Sequence, residues 1–310
     1  MIIGDCNPDV LVTGGDVTPV FGQAEKLVDR MSLVIGGSAA ITAVAAARLG
    51  LRVELVAAVG DDSAGDFMLR QLAEDNVGTT GVAVRDDLPT GMTVALSAGA
   101  DRAILTATGA LASLTAADVP AGLLTRARHV HVSSYFLVAN SLGPGLASLL
   151  AAARAARAST SLDTNWDPSG AWRDQHLPGI LAQAGLLLPN EAEALRLAGQ
   201  PTLAAAVPVL AGYGGGLVVK LGERGALVAD GRERCSVRLP PVRPVDATGA
   251  GDCFNAGLIT GLLRGMPLPE AAALGCAGGA LSTRAPGGTA ASPGLESALA
   301  LARTATMSRC

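Results

Sequence analysis

Aromatic residues are scarce in this chain. Phe, Trp and Tyr make up 3 % of its 310 residues, although 49 % are hydrophobic. The core must therefore be built mainly from Ala, Leu and Val. Lysine is nearly absent: Lys26 and Lys220 stand alone among basic residues that are otherwise arginine, which reads as a genomic composition bias. The net charge is −4 with no run of like charges, which excludes a basic nucleic-acid footprint. The arginines are scattered, which argues against a membrane-surface patch. The five cysteines (Cys6, Cys235, Cys253, Cys276, Cys310) are odd in number and lack metal-ligand spacing, as expected for a reduced, intracellular protein. No run of about 18 uncharged apolar residues occurs, so no membrane span is expected. The start, Met-Ile-Ile-Gly-Asp, lacks the basic and apolar regions of a signal peptide. A cytoplasmic location is expected. What remains is ample chain for a buried core, in one large domain or two smaller units.

Strand-like and helix-like segments alternate, which predicts an α/β protein with a mostly parallel sheet. Strands are expected at Val53–Val59, His129–Ser133, Thr160–Asp163, Leu186–Leu188, Leu217–Lys220 and Ala226–Ala229. Helices are expected at Ala39–Leu49, Ala64–Glu74, Leu142–Ala158, Glu191–Ala198, Ala250–Leu263 and Pro269–Leu281, most of them rich in alanine. Only Met1–Ile3 precede Gly4, so the first strand is short. Residues 10–35 and 80–112 break the rhythm. Short alternating runs such as Gly91–Leu96 and Arg102–Thr106, separated by the turn Ser97–Asp101, read as β-hairpin material. These two stretches are assigned to a small β-sheet lid, and residues 1–9, 36–79 and 113–310 to the core.

The segment from Val245 to Gly257, Val-Asp-Ala-Thr-Gly-Ala-Gly-Asp-Cys-Phe-Asn-Ala-Gly, carries the most information. Its glycines allow a tight turn and close approach to a ligand. A helix beginning near Ala250 presents unpaired amides to an anion. Asp252 then lies in the first turn, where its carboxylate can take a proton from an attacking hydroxyl. A phosphate cradle beside a base points to phosphoryl transfer. From these residues alone, an ordinary loop-to-helix turn with a dipole-stabilising aspartate fits equally well. Asn190 and Glu193 have the spacing of a helix N-cap and its partner, so a plain capping box fits them too. Lys220 ends a strand, at the sheet edge where ligands bind in open α/β folds. Asn7-Pro8-Asp9 follows the first strand and is open to reading as an Asx turn. His129 and His131 alternate on one strand with no third ligand, which gives no metal site. Gly212–Gly216 precedes a strand, so the dinucleotide fingerprint fails, and no Walker-type loop is present.

Four strings in this order resemble the ribokinase-like, or PfkB, carbohydrate kinases. They are Ile35-Gly36-Gly37-Ser38-Ala39-Ala40, Pro189-Asn190-Glu191-Ala192-Glu193, Lys220-Leu221-Gly222-Glu223-Arg224-Gly225-Ala226 and the 245–257 segment. The resemblance covers nearly the whole chain. It implies a three-layer α/β/α core with a β-sheet lid and an ATP- and Mg2+-dependent kinase acting on a small-molecule sugar. By the same resemblance Asp252 is the catalytic base, and the amides of Gly249, Ala250 and Gly251 form the anion hole. Asn190, Lys220, Gly222, Gly225 and Thr248 meet ATP. Glu193 positions Mg2+ indirectly, and Asp246 belongs to a monovalent-cation site, often for K+. Asn7, Asp9, Gly36 and Gly37 face the acceptor, with Ile41 as an apolar contact. Lid edge strands offer a route to a homodimer.

The chain also departs from the pattern. Ser38 and Ile41 stand where ribokinase-like sequences often have lysine and asparagine. The missing cation favours an acceptor without a phosphate. Asp167 replaces the arginine of an Asp-x-Asn-x-Arg pattern at Asp163–Asp167, which weakens the case for a sugar acid. Ser133 stands where ribokinases tend to carry glutamate. A nucleoside kinase is an alternative, but its base would need a stacking partner and Phe21 is the only aromatic in the lid segments, which argues against it. A sugar- or nucleotide-binding protein without turnover is another.

Overall fold

The structure is a computed structural model. It describes residues 1–98, 101–231 and 233–309, leaving aside the side chains of Ala98 and Asp101. The centre of the turn expected at 97–101 (Gly99-Ala100) and Cys310 lie outside the described residues.

In chain order the strands are β1 (Ile2–Ile3), β2 (Asn7–Thr13), β3 (Arg30–Gly36), β4 (Val53–Gly60), β5 (Val77–Arg85), β6 (Met92–Ala98), β7 (Asp101–Ala107), β8 (His129–Val132), β9 (Ser159–Leu162), β10 (Leu186–Leu187), β11 (Gly216–Lys220), β12 (Ala226–Asp230), β13 (Glu233–Arg238) and β14 (Thr306–Arg309). The large sheet runs β14-β13-β12-β11-β10-β9-β8-β1-β4-β5. Pairing is parallel from β11 through to β5 and antiparallel from β11 to β14. A separate sheet, β3-β2-β6-β7, carries the hairpin material. Residues 80–85, expected in the lid, belong instead to β5, which pairs with β4 at the edge of the large sheet. A polar-apolar alternation marks a half-covered strand in either sheet, so the pattern could not tell them apart.

The helices are α1 (Ser38–Arg48), α2 (Ser63–Glu74), α3 (Ala121–Arg126), α4 (Tyr135–Ala155), α5 (Leu177–Gln183), α6 (Glu191–Ala198), α7 (Leu203–Ala211), α8 (Ala250–Leu263), α9 (Leu268–Ser282) and α10 (Leu295–Ala302). They cover both faces of the large sheet. Alternate residues of β4 show the division. Val56 and Ala58 join the cluster of α4, α5, α6 and α7, whereas Val53, Leu55, Ala57 and Val59 join that of α1, α2, α8, α9 and α10. Helix α4 begins seven residues before the expected start at Leu142. Pro144 is tolerated inside it, and Arg157, at φ 66°, turns the chain out at the other end. By length and composition α4 is apolar enough to cross a membrane. Val138, Leu142, Leu146 and Leu150 are buried in the core, as in a central helix of a globular fold.

Small residues set how closely the helices pack. A Cβ on Gly257 of α8 would lie 2.5 Å from the Leu274 carbonyl oxygen of α9. One on Gly278 of α9 would lie 2.6 Å from the Cys253 carbonyl oxygen of α8. Backbone thus meets backbone, and the position of α8 is fixed to within a methyl group. Gly257→Val should cost about 1–3 kcal/mol by overpacking, read as a lower urea midpoint at unchanged slope; an unshifted midpoint would mean the contact is loose.

Candidate active site

Helix α8 opens on a turn built for exposed amides. Gly249 is its N-cap, at φ 71°. A Cβ there would be strained by that φ and would lie 2.6 Å from the Gly288 Cα. The Ala250 N–H bonds back to the Ala247 carbonyl at 3.2 Å, and Cys253 N–H bonds to the Gly249 carbonyl at 2.9 Å. Among the described residues, the amides of Gly249, Gly251 and Asp252 have no backbone acceptor. Ala250, expected in the anion hole, has its amide engaged within the turn. Asp246 clasps the turn from outside. One carboxylate oxygen accepts from Thr248 N–H (2.8 Å) and hydroxyl (2.7 Å), and the other from Gly287 N–H (2.8 Å). Burial pushes this carboxyl up, but the Gly287 and Thr248 bonds outweigh it and hold it below the usual range.

Beneath the turn lies a buried polar cluster. Asp163 is 1 % exposed at the end of β9 and pairs with the Lys220 amine from the end of β11. The same Asp163 oxygen accepts from Asn255 Nδ2 at 2.6 Å. Lys220 was expected to reach outward to nucleotide phosphates. Its amine instead turns inward to Asp163 and would lie 3.5 Å from a Cβ on Gly251. Burial disfavours its charge, but Asp163 and Glu193 outweigh that and hold the amine protonated above its ordinary value. Asn190 and Glu193 form a reciprocal capping box at the start of α6: Glu193 N–H donates to Asn190 Oδ1 (2.9 Å), and Asn190 N–H (2.8 Å) and Nδ2 (2.6 Å) donate to the two Glu193 oxygens. Burial, followed by the charge of Asp163, raises Glu193 to about 7 despite Lys220. Gly222 is in open space, whereas Gly225 lets β12 pass β13: a Cβ there would lie 2.0 Å from the Val237 carbonyl oxygen. Among the described residues, no group of three or more His, Cys, Asp or Glu could hold a metal. A Mg2+ here would have to arrive on nucleotide phosphates and keep most of its waters.

Asp252 sits above this cluster, buried in the first turn of α8. Burial raises its carboxyl well above the usual range; the charges of Asp163 and Asp5 add to this, and Lys220 and the Ser38 side chain oppose it.

The opposite half of the site comes from β2 and β3. Asn7 and Asp9 share one face of β2, so Asn7-Pro8-Asp9 is strand rather than an Asx turn. Asn7 Nδ2 donates to Asp9 Oδ1 (3.0 Å) and to Thr93 Oγ1 of β6 (3.1 Å). Gly36 lies beneath Asp9: a Cβ there would stand 1.8 Å from Asp9 Oδ1. Gly37, at φ 80°, brings its backbone against the Asp5 carbonyl. Ile41 does not face this space. It is 4 % exposed and packs under the α8 turn, where a Cβ on Gly288 would lie 2.5 Å from its Cδ1. An apolar residue one helical turn from the glycine loop reads as a pocket wall in sequence, whereas here it supports the first turn of α8. Arg102 of β7 donates to Thr248 Oγ1 at 2.8 Å, which ties the small sheet to the same turn.

Two residues escaped the sequence reading. Asp5, just past β1, accepts from Ser38 N–H (3.0 Å) and Ala39 N–H (2.9 Å) and so caps α1. Its signal was an acidic residue at the carboxyl end of a parallel strand. Asn255 faces Asp163 from one turn past Asp252, and only the fold could show that.

Residues 1–294 match the pfkB family of carbohydrate kinases. The chain belongs to that family. It is 31 % identical over 283 residues to the 2-dehydro-3-deoxygluconokinase of Bacillus subtilis, covering 84 % of each chain. It is 26 % identical over 302 residues to the ribokinase of Haemophilus influenzae, covering 94 % of each. An E. coli structure provisionally described as a ribokinase II, solved with ATP and Mg2+, superposes with a TM-score of 0.86 at 24 % identity, over 97 % of this chain and 98 % of that one. The fold is thus the ribokinase-like three-layer arrangement, and the protein is a sugar kinase.

The state of Asp9 gives a test within this PfkB-family site. Burial, then the charge of Asp5, raises it to about 7, against opposing contributions from Asn7, Arg102 and Thr93. A carboxyl raised on folding favours the native state below its unfolded value, near 3.8, and loses that contribution as pH rises through about 7. Urea unfolding of the unliganded protein should therefore show wild type losing stability relative to Asp9→Asn between these pH values; a pH-independent difference would contradict the assignment.

Proposed function

We propose that the enzyme transfers the γ-phosphoryl group of ATP to a hydroxyl of a small, unphosphorylated sugar in the cytoplasm, where ATP is supplied. The observation that carries this reading is the buried Asp252 beside unpaired amides in the first turn of α8. Asp252 takes the proton of the attacking hydroxyl. The Gly249 and Gly251 amides stabilise charge on the moving phosphoryl group, the kind of preorganised donor whose loss costs about 10²–10³-fold. Asn7 and Asp9 hold acceptor hydroxyls. Gly36 and Gly37 keep side chains out of the acceptor's way. When bound with ATP, Mg2+ neutralises phosphate charge. Lys220 acts through Asp163, keeping the ground beneath Asp252 electrically balanced. Closure of the small sheet excludes water and limits ATP hydrolysis.

Ser38 in place of a lysine supports an acceptor without a phosphate. Arg102 is engaged with Thr248, on the side of the transferred group. A nucleoside acceptor is a second reading. Trp166, 56 % exposed directly after Asn165 and edge-on to Trp172 at 5.0 Å, offers a stacking surface. Exposed Met31 and Leu33 on β3 and Ile104 and Leu105 on β7 support a homodimer through the small sheet.

Asp252→Asn should still bind ATP and acceptor but lose about 10²–10⁴-fold in kcat; near-normal turnover would remove Asp252 as base. In a coupled ADP-release screen over pentoses, hexoses, deoxy sugars, sugar phosphates and nucleosides, a neutral sugar should give the highest kcat/KM, and a sugar phosphate as best acceptor would contradict the inference from Ser38.

A further inference from the structure

A cavity of about 360 Å³ lies at the end of the large sheet away from the candidate active site. That volume is within the range of small-molecule sites. Ile2, Val53 and His129 open β1, β4 and β8 and line it, so it sits at the amino ends of these parallel strands. Leu263 ends α8 and Ile259 stands one turn earlier, so the cavity meets α8 at the opposite end from Asp252. Ile2, Val53 and Ile259 are buried and supply an apolar wall.

Three arginines stand round this hollow. Arg52 and Arg128 directly precede β4 and β8, the two strands that flank β1. Ile2 pairs with Leu55 on one side and with His131 on the other, so both arginines lie three positions ahead of the same level, across β1 from each other. Arg126 comes from the last turn of α3. Arg128 is anchored: its Nη2 donates to the Leu263 carbonyl at 3.0 Å, where its charge meets the negative end of the α8 dipole. Arg52 and Arg126 are exposed, and among the described residues neither side chain has a hydrogen-bond or ion-pair partner. Glu54 is the one carboxylate among the described lining residues, and it is engaged at β5, where Thr80 Oγ1 donates to its Oε2 at 2.8 Å. In a chain of net charge −4, cations are thus gathered round one apolar hollow, an arrangement that concentrates anions.

We propose that this cavity binds a small organic anion, its apolar body against Ile2, Val53 and Ile259 and its carboxylate or phosphate on Arg52 and Arg126. Arginine suits such a head group because its planar fork donates two parallel N–H bonds. An inorganic anion would leave the apolar wall wet, and a neutral ligand would leave the guanidinium groups unused. The lining shares no residue with the candidate active site, so occupancy does not depend on Asp252 being a base.

The probes are benzoate and phenyl phosphate, with benzyl alcohol as the neutral counterpart and inorganic phosphate as the anion without an apolar body. Binding is read by NMR of isoleucine δ1-methyl groups. Ile2 and Ile259 report on the cavity, and Ile41, beneath the first turn of α8, reports on the active site. At least one organic anion should shift Ile2 and Ile259 saturably and leave Ile41 in place, and the tighter of the two identifies the head group. Hydrogen bonds to a charged group are each worth about 10-fold or more. The double variant Arg52→Gln, Arg126→Gln should therefore bind at least about 10-fold more weakly, as should benzyl alcohol to wild type. Both side chains are exposed, so the variant keeps the fold, and the charge-keeping pair Arg52→Lys, Arg126→Lys should bind better than the glutamine pair. No saturable shift at Ile2 and Ile259, benzyl alcohol or inorganic phosphate binding as tightly as the organic anions, or unchanged affinity in the glutamine pair would overturn the proposal. A shift confined to Ile41 would place the anion in the active site and overturn it as well.

Discussion

The approach of α8 to α9 and to the 286–288 loop is the contact on which the rest of the structure depends. Gly257 and Gly278 bring the two helices into backbone contact, and Gly249 lies against Gly288. A single methyl group at any of these positions would displace the first turn of α8. That turn carries the free amides and Asp252, so in the mechanism proposed above its placement decides whether the phosphoryl group and the base meet. The composition follows from this: a core of Ala, Gly and Leu allows backbone approach that a core of large rings would prevent. Ile41, pressed under the same turn from α1, extends the constraint to the other half of the site.

Electrostatics set the second requirement. Asp5, Asp9, Asp163, Glu193 and Asp252 are all buried, each within reach of another's charge. Lys220, one of two lysines in the chain, is placed among them. It neutralises Asp163 and tempers Glu193 and Asp252, while burial keeps Asp9, Glu193 and Asp252 raised. A raised carboxyl is a better proton acceptor once ionised, which suits a general base. The clasp of Asp246 works the opposite way: backbone N–H groups satisfy it and keep it ionised, a structural use of the same residue type.

Much of this was legible in the sequence because it is local. The glycine turn at 249–251, the cap at Asn190 and Glu193, and the strand end at Lys220 each depend on a few consecutive residues with a known physical preference. Contacts between distant segments were not legible. Asn255 pairs with Asp163 across 92 positions and Arg102 with Thr248 across 146. Ile41 was misplaced because its spacing from Gly37 shows a helix face but not what packs on it. Residues 80–85 were given to the wrong sheet because alternation shows that one face is buried and leaves open against which sheet. The inward turn of Lys220 follows from Asp163, whose burial no periodicity reveals.

The proposed transfer places the moving phosphoryl group at the first turn of α8. A structure with ADP, Mg2+, an acceptor sugar and aluminium fluoride, which mimics the phosphoryl group in flight, tests this most directly. The fluoride should sit on the Gly249 and Gly251 amides, with the acceptor hydroxyl within about 2.6–3.2 Å of the Asp252 carboxylate. Fluoride bound away from that turn, or a hydroxyl directed at another residue with Asp252 facing solvent, would contradict it.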